Sequence, residues 1–164
     1  MVEPTEVELT VNGVTHRVSV EPRKTLADCL REDCLATGVH LGCEHGACGA
    51  CTVLLDGLAV RSCLIFAVQV SGTEVTTAEG LVRADGTLGV VQEAFRDCHG
   101  LQCGFCTPGV VVSVSAFLAE NPDPDLEEIR HALSGTLCRC TGYQGIIAAV
   151  QQAAEAMTTQ VTGS

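Results

Sequence analysis

Residues 42–53 read GCEHGACGACTV, and with Cys63 they set four cysteines in the order C-x4-C-x2-C followed after eleven residues by C: Cys43, Cys48, Cys51 and Cys63. That spacing is one of the patterns by which thiolates hold a [2Fe–2S] cluster. The inorganic sulfides of such a cluster need hydrogen-bond donors, so the loop has to curl with its N–H groups pointing inward. Gly42, Gly46 and Gly49 are expected to give it that freedom, because glycine reaches positive φ without steric cost. Zinc fits the spacing poorly, since it usually takes two short cysteine pairs well separated in sequence, and here three cysteines fall close together. A Rieske centre also fails: Cys43-Glu44-His45 opens like its first half, but the histidine required after Cys63 would fall at Phe66. His45 therefore reads as a loop residue.

A second constellation lies downstream. Cys103-x2-Cys106 is followed after 31 residues by Cys138-x-Cys140, each pair where a helical pattern meets a glycine-containing turn. Four thiolates from two loops can converge on one site. Cys98, Cys103 and Cys106 also read C-x4-C-x2-C, and spacing alone does not exclude that grouping. Against it, Cys98 ends a helical pattern without the glycine-rich setting of the first loop, and its use would leave Cys138 or Cys140 idle. The remaining Cys29, Cys34 and Cys98 read as small buried hydrophobes. His16, His40, His99 and His131 show no ligand spacing and read as surface or satisfied core histidines.

Around these loops the chain changes period. Val7, Leu9 and Val11, then Asn12-Gly13, then Val14, His16, Val18 and Val20 form the pattern of a hairpin closed by a type I′ turn, with strands at about 5–11 and 14–20. Thr25 opens TLADCLRED as the cap of a short helix with Leu26, Cys29 and Leu30 on one face. CTVLLDGLAVRSC reads as a second hairpin around Asp56-Gly57, and a strand at about 74–77 completes a small sheet packed on one helix. After Gly80 the apolar residues recur at helical spacing, predicting helices at about 88–98, 109–120, 125–133 and 143–157. The third carries Asp125 and Glu128 as a capping box, and the fourth aligns Ile146, Val150, Ala153 and Met157. The division expected is a domain at 1–80, a linker at 81–86 (VRADG at its heart) and a second domain at 87–164.

Composition narrows the class. Eleven cysteines in 164 residues approach the content at which a disulfide or metal scaffold is the leading expectation. Disulfides need an oxidising compartment, and the opening MVEPTEVELT lacks the charged and apolar regions of a secretion signal, so a cytoplasmic location is expected. No uninterrupted apolar run is long enough to predict a membrane span, although 46% of residues are hydrophobic. A formal net charge of −11 argues against nucleic acid and against anionic membrane surfaces. The expected partners are proteins.

Taken together, GCEHGACGACTV, LQCGFCTPG and LCRCTGY resemble the small iron–sulfur subunit of the molybdenum hydroxylases, the xanthine dehydrogenase, aldehyde oxidoreductase and carbon monoxide dehydrogenase family. The resemblance runs from about residue 5 to 157. It implies an α+β fold, with an N-terminal β-grasp, ferredoxin-like [2Fe–2S] domain followed by a C-terminal four-helix [2Fe–2S] domain. It implies that Cys103, Cys106, Cys138 and Cys140 hold the second cluster, which sets Cys98 aside. It further implies a large partner subunit holding a molybdopterin cofactor, in a dinucleotide form, and a medium subunit holding FAD, assembled as a dimer of heterotrimers. Gln102 and Cys140 match positions beside the pterin, and the Cys43–Cys63 loop would face the flavin. Such a chain carries electrons, has no catalytic residues of its own, and leaves substrate choice to the large subunit.

Overall fold

Val7, Leu9 and Val11 are buried while the residues between them are not, so strand β1 (Thr5–Val11) turns one face to a core and the other to water. This is seen in a computed structural model of the chain, which describes residues 3–162. β1 pairs antiparallel with β2 (Val14–Val20) across Asn12 and Gly13, whose φ angles of 50° and 79° are those a type I′ turn requires. Asp56 and Gly57, at 47° and 84°, join β3 (Thr52–Leu55) to β4 (Leu58–Arg61) in the same way. β5 (Glu74–Thr76) lies between the hairpins, parallel to β1 and antiparallel to β3, giving the order β2-β1-β5-β3-β4. Helix α1 (Leu26–Glu32) seals the core with Leu26, Ala27, Cys29 and Leu30, and Thr25 caps it by accepting the Asp28 N–H at 3.1 Å.

The second half is helical: α2 (Val90–Asp97), α3 (Thr107–Glu120), α4 (Leu126–Leu133) and α5 (Gln144–Thr162). Phe95, Val110, Val114, Leu118, Ile129, Ile146 and Val150 form its core. The fold class is the α+β one expected. Two helices differ in extent from the expected 109–120 and 143–157. α3 begins at Thr107, ahead of Pro108, because proline is tolerated in a helix's first turn, where its missing N–H has no partner to lose. α5 continues past Met157, where its apolar face ends, as a helix whose next residues are exposed. Residues 163 and 164, included in the expected second domain, lie outside the described residues, as do residues 1 and 2. The stretch expected as a linker is a hydrogen-bonded turn: the Gly86 N–H donates to Arg83 O at 2.8 Å, and Arg83 pairs with Glu93 at 2.6 Å.

The halves meet closely. α3 lies against β3 and, at Gly109, against the loop leading into it, where an added Cβ would come within 2.4 Å of Gly49 O and 2.8 Å of Ala50 O. Arg61 reaches across with Nη2 donating to Gly135 O at 2.6 Å while Nη1 donates to Thr52 Oγ1.

Candidate metal centres

Cys43, Cys48 and Cys51 of the first set lie on the loop between α1 and β3, and Cys63 lies in the short turn that follows β4. The N–H groups of this loop turn toward sulfur: that of Cys48 lies 3.3 Å from Cys43 Sγ. The His45 N–H, followed by those of Cys48 and Ala47, lowers the Cys43 thiol to about 6. Gly46 and Gly49 take the positive φ values expected, 83° and 74°. Gly42 does not, and its expected role is corrected: it is glycine for space, since a Cβ there would meet Cys48 Sγ at 3.1 Å and the Phe105 ring at 3.3 Å. The left-handed residue beside Cys43 is instead Glu44, at 55°. His45 bonds the Cys43 carbonyl through Nδ1 at 2.6 Å, within the loop. Cys51 and Cys63 are buried, and burial together with the Cys51 thiol pushes Cys63 up to about 11.

The second set joins the turn before α3, where Cys106 is the cap residue, to the loop between α4 and α5. Cys103 and Cys140 interact through their thiols, as do Cys106 and Cys138. Burial, then the Cys138 thiol, pushes buried Cys106 up to about 12. The Phe105 N–H and the Cys140 thiol lower Cys103. Gln102, Cys103 and Cys140 are exposed on this rim, with Leu101, Phe105 and Leu137 exposed around them. Cys98 is not among these contacts: its thiol lies 3.0 Å from Gln152 Oε1. Cys29 and Cys34 sit in the core of the sheet half, as small hydrophobes do, with the Cys34 contact and burial raising the Cys29 thiol.

The donor chemistry suits two-iron clusters. Among the described residues no group of three or more His, Cys, Asp or Glu side chains is drawn together around one point. The thiols stand instead in pairs, Cys43 with Cys48 and Cys51 with Cys63, then Cys103 with Cys140 and Cys106 with Cys138. Four thiolates shared two to a metal is what a [2Fe–2S] cluster takes. The Cys138 thiol raises Cys106 while the Cys140 thiol lowers Cys103, so one thiol of each pair keeps its proton at its partner's expense, and a cationic metal favours the ionised form of both.

Three arrangements here escaped the sequence. The Leu137 N–H donates to Cys48 O at 2.9 Å, so a residue next to one ligand candidate is bonded to the backbone of another in the opposite half. His40 Nδ1 donates to Phe105 O at 2.7 Å, and its ring stacks on Phe105 at 5.0 Å. Thr141 and Tyr143, inside LCRCTGY, bond the Cys138 loop. The neighbouring cysteines marked the last pair as worth attention, but their partners are set by the fold.

Two family models match, one for a 2Fe-2S iron-sulfur cluster binding domain over residues 9–82 and one for a [2Fe-2S] binding domain over residues 77–151. The chain is 55% identical to the nicotine 6-hydroxylase small subunit of Paenarthrobacter nicotinovorans, over 90% of this chain and 88% of that one. Its structure superposes on the quinoline 2-oxidoreductase of Pseudomonas putida 86 with a TM-score of 0.91 and 46% identity, covering 96% of this chain and 98% of the matched one. It also matches the aldehyde oxidoreductase of Desulfovibrio desulfuricans ATCC 27774, with a TM-score of 0.88, 42% identity and 94% of this chain covered, but only 17% of that longer chain.

Proposed function

This chain belongs to the family of small [2Fe–2S] subunits of the molybdenum hydroxylases, and from that premise we propose that Cys43, Cys48, Cys51 and Cys63 hold one cluster and Cys103, Cys106, Cys138 and Cys140 the other. The protein is the electron-transfer subunit of a molybdopterin-dependent oxidoreductase complex, passing electrons from the molybdenum cofactor on a large partner subunit toward FAD. When bound, a [2Fe–2S] cluster takes up and gives back single electrons, which is what coupling a two-electron centre to a flavin requires.

This chain's residues hold, shelter and connect. Backbone N–H groups offset the negative charge of four thiolates. The observation that carries the reading is the Leu137 N–H to Cys48 O bond, which joins the two cysteine sets through one hydrogen bond and the backbone of Cys138. The order proposed places the Cys103 set at the pterin, with Gln102 and Cys140 on the exposed rim that meets it, and the Cys43 set toward the flavin. The division into 1–80, a connecting 81–86 and 87–164, a dimer of heterotrimers, a dinucleotide form of the pterin and a cytoplasmic location complete the proposal. No helix of the described residues is long and apolar enough to cross a membrane.

Fully loaded protein should contain about four iron and four acid-labile sulfide per chain, with two distinct EPR signals on reduction. Two irons or a single signal would refute two clusters, and a colourless protein carrying zinc would refute iron altogether. In the assembled enzyme, rapid-freeze EPR with flavin absorbance tests the order: Cys48→Ser should let substrate reduce the second cluster but not the flavin, and Cys106→Ser should block both. Normal flavin reduction in a folded Cys106→Ser enzyme lacking that cluster would overturn it.

A further inference from the structure

We propose that Thr141 is a positioning residue which, through Cys138, holds the reduction potential of the second cluster up. The inference rests on Cys138 being a ligand. Thr141 Oγ1 lies 3.1 Å from Cys138 Sγ and accepts the Tyr143 N–H at 3.1 Å. A hydroxyl has one proton to give, and a ligating cysteine is a thiolate that can only accept, so the proton of Thr141 is directed at sulfur.

The loop is organised to keep it there. The Cys138 N–H donates to the Tyr143 hydroxyl at 2.9 Å, and that hydroxyl donates onward to Thr136 O at 2.9 Å. Tyr143, the one tyrosine in the chain, thus clamps residues 136–138 while its own backbone N–H orients Thr141. It does so from the left-handed region, at φ 65° directly after Gly142 at 58°. A bulky residue there is unfavourable unless its surroundings hold it, and these three bonds do. The backbone held at Tyr143 thereby fixes the loop around the threonine–sulfur contact, which is pre-organisation of that contact.

The effect has a definite sign. Reduction adds negative charge that spreads onto the ligand sulfurs, so a fixed donor favours the reduced form and raises the potential. Cys138 is half-buried, which limits the water that could replace the donor, whereas Cys140 on the rim is exposed. The two thiols, separated in sequence by Arg139 alone, are therefore tuned differently.

The test is EPR-monitored redox titration of the assembled enzyme, with iron content confirmed first. Thr141→Val should lower the second cluster's potential by a threefold to tenfold loss in its reduction equilibrium, about 30–60 mV at 59 mV per tenfold for one electron. The first cluster should not move. Thr141→Ser, which keeps the hydroxyl, should retain the native potential. Should Thr141→Val fail to load, Thr141→Ala carries the same prediction. An unshifted potential in a loaded Val or Ala variant, or an equal fall in Thr141→Ser, would overturn the proposal. Cys138→Ser separates the premise: if all iron and both signals survive unaltered, Cys138 is no ligand and the ligand reading itself falls. If one signal changes, the ligand stands and the threonine variants decide.

Discussion

A methyl group at Gly109 would press on the Gly49 and Ala50 carbonyls at 2.4 and 2.8 Å, and neither oxygen can move without disturbing the loop that carries Cys48 and Cys51. Gly109→Ala is therefore expected to cost about 1–3 kcal/mol or more of stability, as overpacking does, and to loosen the first cluster although the substitution is in the other half. Thermal unfolding and the bleaching rate of the two signals would check it; preferential loss from the second cluster would contradict the packing argument. Arg61→Met keeps the stem and removes the guanidinium that bonds Gly135 O and Thr52 Oγ1. Its expected cost is about 2 kcal/mol, in the range of hydrogen bonds made by a charged group, measured by denaturant unfolding. Gly49 was legible as a loop glycine because cysteines surround it. Gly109 and Arg61 were not, since the atoms they meet come from distant parts of the chain.

Among the elements, α4 shows how fully a local signal can act. Asp125 accepts the N–H groups of Glu127 and Glu128 at 2.8 and 2.9 Å, and Glu128 Oε2 returns a bond to the Asp125 N–H at 2.8 Å. Asp125→Ala should lower stability by about 1 kcal/mol, typical of a lost cap, while leaving both EPR signals unchanged because the site lies outside the cysteine loops. A changed signal would mean that α4 positions the Cys138 loop more directly than its cap implies. α3 behaves differently. Val110, Val111, Val112 and Val114 are all buried, because the helix is packed against β3 on one side and the other helices elsewhere. A helix apolar all round has no stripe to give its orientation away, so its place at the centre of the molecule was hidden even though its existence was plain.

At the scale of the whole molecule, apolar side chains lie exposed beside both cysteine sets. Leu101, Phe105 and Leu137 flank the second in sequence, and Leu64 lies against Gly46 of the first. Expressed without partners, this chain should associate with rising concentration in sedimentation runs and lose the rim-exposed second cluster first, seen as decay of one EPR signal. A stable monomer retaining both signals would point to a freestanding carrier instead.

From its sequence alone the chain declares two cysteine sets, a sheet closed by Asn-Gly and Asp-Gly turns, and five helices, because turns, caps and thiol spacing act over a few residues and leave their signature in them. Folding decided how the thiols pair, why Gly42 and Gly109 are glycine, and that Leu137, His40 and Thr141 touch the cysteine loops. Those are contacts between segments far apart in the chain, or between side chains whose directions are set by backbone angles such as those at Gly142 and Tyr143. Local spacing carries no record of them, since it is the packing of α3 on β3 that brings the two loops within one hydrogen bond of each other.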